Sequence, residues 1–360
     1  MNERFGPYIL LKRLGIGGMA EIWLAARQAA PGVRKLLALK CILPSYNDNP
    51  DFVRLFYHEA GIALRMQHPN IINTWDCSVI DGRHTMCMDY LHGVTLQELL
   101  ERIHSLNQPF KPEFAVWIAI QILEALQYLH TLRDESGNDL RIIHRDISPQ
   151  NIFICHNGQC KLFDFGVARM GERDMDIQQG MIIGKPAYIS PEQCQSEPLD
   201  GRSDTFSLAV ILYEMATGSS PFQREDDIQT LNAVMHSPIP SPNALIRNFP
   251  AFLSRIIMQG IERTVSKRYA SAADFANDLR TFLKVNGHTN VQPALAALMH
   301  SLFAPEIAQN TQFLGQFLPR LEAGAPSLNT LIAASRPIHD IAVGNVVGSI
   351  TVSKIKTGDF

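Results

Sequence analysis

No stretch of this chain holds the roughly 18 consecutive apolar residues that a membrane-spanning helix needs. Its most hydrophobic late segment, residues 332–352, is interrupted by Arg336, His339 and Asp340. Residues 1–14 carry Glu3, Arg4, Lys12 and Arg13 and lack the apolar core of an export signal. Both absences point to a cytoplasmic protein. A dominant charge sign is also missing, with 32 Lys plus Arg against 35 Asp plus Glu and a net charge of -3. That balance gives no electrostatic footprint for nucleic acid as the main partner. Cysteine is scarce: the six residues at 41, 77, 87, 155, 160 and 194 form no C-x-x-C pair. A zinc ribbon and a thioredoxin-type site are thereby excluded, and the histidines lack metal spacing too. No internal repeat is visible.

Hydrophobic residues make up 46% and charged residues 19% of the chain, as in an ordinary folded soluble protein. With 360 residues it exceeds one compact core, and about two or three structural units are expected. The first ninety residues read as strands with one helix. Apolar-rich runs at 8–14 and 21–27 are joined by a Gly-rich segment, Pro31-Gly32 marks a turn, and 34–42 is a third strand. Asn49-Pro50-Asp51 has the chemistry of a helix start. After Leu91 the period changes to that of helices, with predicted segments at 112–130, 203–217, 249–262 and 271–285. Residues 152–155 and 160–163 form a predicted hairpin around Asn157-Gly158, a type I′ turn signal. Cys155 and Cys160 flank this hairpin where they can face each other, although two reduced thiols suit a cytosolic protein better. A small β-rich unit thus precedes a larger α-rich one, and a cleft between such units favours a small ligand.

Three segments carry chemistry. Gly15, Ile16, Gly17, Gly18, Met19 and Ala20 join two strands, and small residues there let backbone N–H groups close over a phosphate chain. Taken alone, the segment is equally a plain hairpin turn. Lys40 follows the apolar run Leu36-Leu37-Ala38-Leu39, and a Lys pointing inward from such a strand needs an anion. Glu59 on the following helix or a nucleotide phosphate can supply it; a surface strand end is the plainer alternative. The most specific segment is His144-Arg145-Asp146-Ile147-Ser148-Pro149-Gln150-Asn151. Its Asp146 and Asn151 are five apart, which lets a carboxylate face a hydroxyl while an amide oxygen reaches a metal. Asp164-Phe165-Gly166 begins thirteen residues after Asn151, and its carboxylate can bind a divalent cation. A second glycine-rich stretch, 180–186, fails as a Walker loop, because Pro186 stands where Ser or Thr must meet magnesium.

In order and spacing these segments resemble a Hanks-type protein kinase of the bacterial serine/threonine class. Ser190-Pro191-Glu192, Ser203-Asp204, Gly218, Pro221-Phe222 and Arg268 extend the resemblance over about residues 8–285. It implies an α+β, two-lobed kinase fold: a small lobe over 1–91, a larger helical lobe over 92–285 and a helical C-terminal extension over 286–360. It also implies phosphorylation of protein Ser or Thr hydroxyls in signalling, with ATP and Mg²⁺ or Mn²⁺ as cofactors. Lys40 would contact the α- and β-phosphates and pair with Glu59, and Asp146 would accept the substrate hydroxyl proton. Asn151 and Asp164 would hold the metal. The 15–20 loop would cover the phosphates, with Ile22 and Ala38 beside the nucleotide. Met88 resembles the gatekeeper, and Asp89, Tyr90 and Leu91 the hinge that binds adenine. Glu192 with Arg268 would form a buried ion pair, and Asp204 would brace the catalytic loop. Pro149 after Asp146 follows the Ser/Thr pattern and argues against tyrosine specificity. A nucleotide-binding pseudokinase scaffold is one alternative, and a small-molecule kinase a weaker one.

The chain departs from the pattern in several places. Ala20 replaces the third loop glycine, a small change. Ser148 stands where such kinases usually carry Lys, and Lys185 stands where they usually carry Thr. One cation is lost and another appears in the neighbouring segment, so Lys185 is a candidate catalytic residue that replaces the missing charge; a solvated Lys185 beside a drifted Ser148 is the plainer alternative. Residues 167–187 contain no Ser, Thr or Tyr, although the resemblance implies that Arg145 binds a phosphate there; Glu172, Asp174 and Asp176 offer permanent negative charge instead, or are plain solvated loop residues. Activity should therefore not depend on phosphorylating this segment. Phosphatase treatment should leave turnover unchanged, and neutral amides at those three acidic positions should lower it. Beyond the resemblance, Leu295, Leu298, Met299, Leu302 and Phe303 form an apolar stripe, and Phe313, Leu314, Phe317, Leu318 and Leu321 form another. Packing against the large lobe is the first expectation for both, and a partner-binding surface the second.

Overall fold

The computed structural model describes residues 3–30, 33–164 and 185–317. The turn at Pro31-Gly32, Phe165-Gly166, the acidic segment and residues beyond 317 lie outside them. The small lobe is built on one antiparallel sheet: β1 (Glu3–Phe5), β2 (Tyr8–Ile16), β3 (Ala20–Ala30), β4 (Val33–Ile42), β5 (Thr74–Ile80) and β6 (Arg83–Asp89). Their order is β1-β2-β3-β4-β6-β5. Helix α1 (Pro50–Ala63) lies against it. Its N-terminus is the predicted one: Asn49 accepts a hydrogen bond from the Asp51 amide at 3.0 Å, and Pro50 occupies the first turn.

Strand alternation decides which side chains meet the site. In β4, Leu37, Leu39 and Cys41 join Phe5, Tyr8, Leu10, Trp23 and Ala25 on one face. Ala38 and Ile42 join Ile22, Met86, Met88 and, from α1, Phe56 and Ala60 on the other. Lys40 falls between Ala38 and Ile42 on that second face, directed toward α1.

The large lobe contains a second sheet, β7 (Gly93–Thr95), β8 (Ile152–Cys155) and β9 (Cys160–Leu162), in that order. Its helices are α2 (Leu96–Ser105), α3 (Pro112–His130), α4 (Pro191–Cys194), α5 (Gly201–Thr217), α6 (Asp227–His236), α7 (Pro242–Leu245), α8 (Ala251–Gly260) and α9 (Ala272–Val285). Two more follow, α10 (Val291–Leu302) and α11 (Ala304–Phe317). Helix α3 is the axis of the core: Phe114, Ile118, Ile122, Leu126 and Leu129 are buried, and both α5 and α9 pack on it. The β8–β9 turn places Gly158 at φ 78°, where a Cβ would come within 2.4 Å of the Gln292 carbonyl on α10. Glycine is thus required there both for the turn and for the approach of α10.

Two expectations need correction. Cys155 and Cys160 do not face each other. The register pairs Cys160 with Ile154, so the next residue, Cys155, projects to the opposite face. Cys160 enters the large-lobe core, Cys155 the small-lobe side, and both are free thiols. Of the second apolar stripe, Phe313 and Leu314 do not pack on the large lobe, and Phe317, Leu318 and Leu321 lie outside the described side chains. Leu295 and Met299 of the first stripe pack there fully, but Phe313 and Leu314 pack against Leu11, Leu24 and Ala26 of the small lobe.

Glu192 and Arg268 form a buried two-pronged ion pair at 2.7 and 2.8 Å, with Ser203 donating to the same carboxylate at 2.6 Å. Burial alone would raise the Glu192 carboxyl; Arg268 and Ser203 outweigh it and hold it below the usual range. Arg268→Leu strands this carboxylate, with an expected loss of about 3–5 kcal/mol in urea unfolding. Arg280→Leu, which breaks an exposed pair with Glu124, should cost under about 1 kcal/mol.

Candidate active site

Lys40 is almost fully buried, and its Nζ lies 2.7 Å from Glu59 Oε1 and 2.6 Å from Asp164 Oδ1. Burial works against the ammonium, but Asp164 and Glu59 outweigh it and hold it above the ordinary lysine value. Glu59 is pushed up to about 7 by burial, against the pull of Lys40 and with the Asp164 charge adding. Two carboxylates thus share the Lys40 ammonium. Asp164 also sits at φ 58°, in the left-handed region that non-glycine residues occupy at functional turns.

The loop of residues 144–151 is held from beneath by one carboxylate. Asp204 accepts hydrogen bonds from the backbone N–H of His144 at 2.9 Å and of Arg145 at 2.8 Å, and bonds His130 Nε2 at 2.7 Å. Burial raises its carboxyl, yet His130 and His144 outweigh that and keep it below the usual range. Gly201 opens α5 without a Cβ, which would meet the His130 ring at 2.4 Å. That close approach brings His130 onto Asp204. With these bonds Arg145 adopts φ 65°, and Gln193 Nε2 donates to its carbonyl at 3.0 Å. His144 is buried and its pKa is lowered by burial. Its Nδ1 accepts from the Asp146 amide at 3.3 Å, so its Nε2 carries the proton and faces the Phe163 carbonyl at 3.3 Å. Neutral His144 thereby ties the loop to the strand that leads into Asp164.

Asn151 completes the constellation. Its amide nitrogen donates to the Asp146 carbonyl at 2.8 Å and to Asp146 Oδ2 at 2.9 Å. Its carbonyl accepts from the Phe163 amide at 3.1 Å, which sets Asn151 beside Asp164. Its side-chain Oδ1 is buried and has no hydrogen-bond partner among the described residues. A buried amide oxygen without a donor costs free energy unless a ligand satisfies it. Hard cations take such oxygens together with carboxylates. Asn151 and Asp164 therefore fit a divalent cation.

Ser148 is fully buried, and Lys185 Nζ donates to its Oγ at 3.0 Å. The ammonium of Lys185 thus enters the loop of residues 144–151 two residues from Asp146. The loop that begins at Lys185 and the loop that carries Asp146 meet at this hydrogen bond.

A cavity opens beside Lys40, lined by Ile22, Glu59, Ile72, Thr74, Met86, Met88, Phe163 and Asp164. Ile22 stands opposite Lys40 in the β3–β4 register, and Ala38 opposite Met88 in the β4–β6 register. Leu91 packs against the same cluster. Gly17, Gly18 and Met19 form the β2–β3 turn, with Gly15, Ile16 and Ala20 at the strand ends; the Gly17 amide donates to the Ala20 carbonyl at 2.8 Å and Gly18 has open space around it. The Asp89 carboxylate is held by Trp75 and Asn73 at 2.7 and 2.8 Å. Nothing in the local sequence pattern marks His130, Thr74 or Gln193 as part of this site.

A small sheet lobe and a helical lobe, with a Lys–Glu–Asp cluster and an Asp–Asn loop between them, define the bilobal kinase fold. Residues 8–283 match the family model described as the protein kinase domain. The chain belongs to that family. It is 34% identical over 305 residues to the tyrosine-protein kinase MasK of Myxococcus xanthus, covering 84% of this chain and 47% of MasK. It is 30% identical over 276 residues to the serine/threonine-protein kinase PrkC of Bacillus subtilis, covering 77% of this chain and 40% of PrkC. The chain therefore spans less than half the length of these curated relatives. The solved Mycobacterium tuberculosis PknI kinase domain shares the fold, with a TM-score of 0.55 at 24% identity over 77% of this chain and 96% of that one.

Proposed function

We propose that this chain transfers the γ-phosphate of ATP to Ser or Thr hydroxyls of proteins. The observation that carries the reading is the Asp146–Asn151 pair, in which the amide nitrogen is spent on Asp146 and the amide oxygen is left for a cation. Asp146 accepts the proton of the substrate hydroxyl. Asn151 and Asp164 hold Mg²⁺ or Mn²⁺, which when bound neutralises phosphate charge. Lys40, steadied by Glu59, contacts the α- and β-phosphates. The segment from Gly15 to Ala20 closes over the phosphate chain, and Ile22, Ala38 and Met88 flank the base. Backbone groups of Asp89, Tyr90 and Leu91 bind adenine. Lys185 supplies the cation that Ser148 does not. Catalysis of this kind rests on positioning and charge neutralisation. No helix among the described residues is long and apolar enough to cross a membrane. ATP is available in the cytoplasm, and we place the activity there, in protein signalling.

The kinship with a tyrosine kinase supports a second reading, phosphorylation of Tyr. Pro149, in place after Asp146, favours Ser and Thr. A pseudokinase scaffold is disfavoured because Lys40, Glu59, Asp146, Asn151 and Asp164 are all present. A filter assay with γ-labelled ATP and a casein substrate tests the proposal. Label should transfer with the wild type and not with Asp146→Asn, while both bind nucleotide. Binding without transfer by the wild type would make the chain a scaffold.

A further inference from the structure

Helix α11 lies beyond the stretch that matches the protein kinase family, yet it touches both lobes and the hinge between them. At its start it is anchored to the large lobe. Arg102 of α2 donates to the Leu302 carbonyl at 2.8 Å, pairs with Glu306 and stacks over the Phe303 ring at 4.8 Å. One turn on, Asn310 donates to the Tyr90 hydroxyl at 3.1 Å. One turn further, Phe313 and Leu314 pack on Leu11, Leu24 and Ala26, which are nearly inaccessible. Residues 306, 310, 313 and 314 follow helical spacing and share one face. From Glu306 to Leu314 the helix rises about 12 Å, enough to pass the hinge from lobe to lobe.

The place where it lands matters. Ile22 and Lys40 are register partners and both line the cavity. The partners two and four residues along are Leu24 with Ala38 and Ala26 with Leu36. Side chains two apart in a strand share a face. Phe313 and Leu314 therefore rest on the same sheet face that carries the cavity, a few residues toward the hinge. The Lys40–Glu59 contact is formed with α11 in this position.

We propose that α11 is an interlobe strap whose Phe313, Leu314 and Asn310 are positioning residues for nucleotide binding. It holds the small lobe over the large one, so that residues from both lobes are in place before the nucleotide arrives. This rests on the reading of the cavity as the ATP site. Releasing the strap lowers the fraction of molecules in the competent arrangement, and the apparent affinity for nucleotide falls by that fraction.

The test uses the full chain with Phe313→Ser and Leu314→Ser together, and Asn310→Ala separately in case the double variant misfolds. Hydrogen exchange at Leu11, Leu24 and Ala26 reports strap docking whether or not the protein transfers phosphate. Binding of a fluorescent ADP analogue and the ATP KM report the site. Exchange at the patch should rise in the double variant, with nucleotide affinity weakened about three- to tenfold and kcat within about twofold. Asn310→Ala should shift affinity the same way by a smaller factor, and Phe313→Leu should restore most of it. Faster exchange with unchanged nucleotide affinity and KM would overturn the proposal, as would unchanged exchange at the patch. A wild type that binds the ADP analogue but transfers no phosphate would sink the kinase reading and leave the strap to the exchange and binding data.

Discussion

Lys40→Met should reduce phosphate transfer by on the order of a thousandfold or more, and Asp164→Asn should do the same. Both act on the charge of the triphosphate, Lys40 directly and Asp164 through the cation. Neither change should unfold the protein. Met fills a volume close to that of the Lys stem, and Glu59, already pushed up to about 7, can take a proton once its ammonium partner is gone. Asn is isosteric with Asp and tolerates the left-handed backbone that position 164 adopts. With Asp164 neutralised, Lys40 keeps Glu59 as its partner at 2.7 Å. The measurement is steady-state transfer alongside thermal unfolding of each variant. Near-wild-type turnover in either folded variant would remove that residue from its role.

Lys185→Thr should lower kcat by roughly 30- to 1000-fold, or about 2–4 kcal/mol, the loss expected when one preorganised electrostatic group is removed. Nucleotide affinity should stay nearly unchanged. Lys185 Nζ donates to Ser148 Oγ at 3.0 Å, so its ammonium lies at the position that lacks a cation in this chain. A Lys stem is long and flexible, and its ammonium can shift from a serine oxygen to a phosphate oxygen within the same pocket. Ser148→Lys introduced with Lys185→Thr should recover part of the loss, since it restores the usual arrangement. The two changes should therefore be strongly non-additive. Ser148→Lys alone should be poorly tolerated, because two ammonium groups would then meet in a buried site. If Lys185→Thr retains turnover, or if the two effects add, Ser148 is only a hydrogen-bond partner that anchors the segment.

The segments with strong local chemistry were legible without the fold. Asn49-Pro50-Asp51 marks the start of α1, Asn157-Gly158 marks the β8–β9 turn, and Ser271 caps α9, accepting from the Asp274 amide at 3.1 Å. The 112–130 stripe coincides with α3 because its apolar period is long and unbroken. The bounds of β5 are not legible in sequence, since its residues are mostly exposed or half-buried and lack clean alternation. Helix α2 is short, and its one strong local signal is the capping box of Thr95 and Glu98. At the site, motif spacing names the chemical groups but not their supports. His130 reaches Asp204 from α3, 74 residues away in sequence, and no local pattern encodes such a contact. The second stripe shows the same limit: helical spacing marks Phe313 and Leu314 as buried, but only the fold shows which lobe buries them.

The central claim is transfer of phosphate from ATP to Ser and Thr of proteins by the Asp146 loop. Its most direct test is to label casein with γ-labelled ATP and this chain, hydrolyse the product in acid and separate the phosphoamino acids. Label on phosphoserine and phosphothreonine, lost with Asp146→Asn, is the predicted result. Label confined to phosphotyrosine would contradict the Ser/Thr assignment, and no label from a folded, nucleotide-binding wild type would contradict the enzyme.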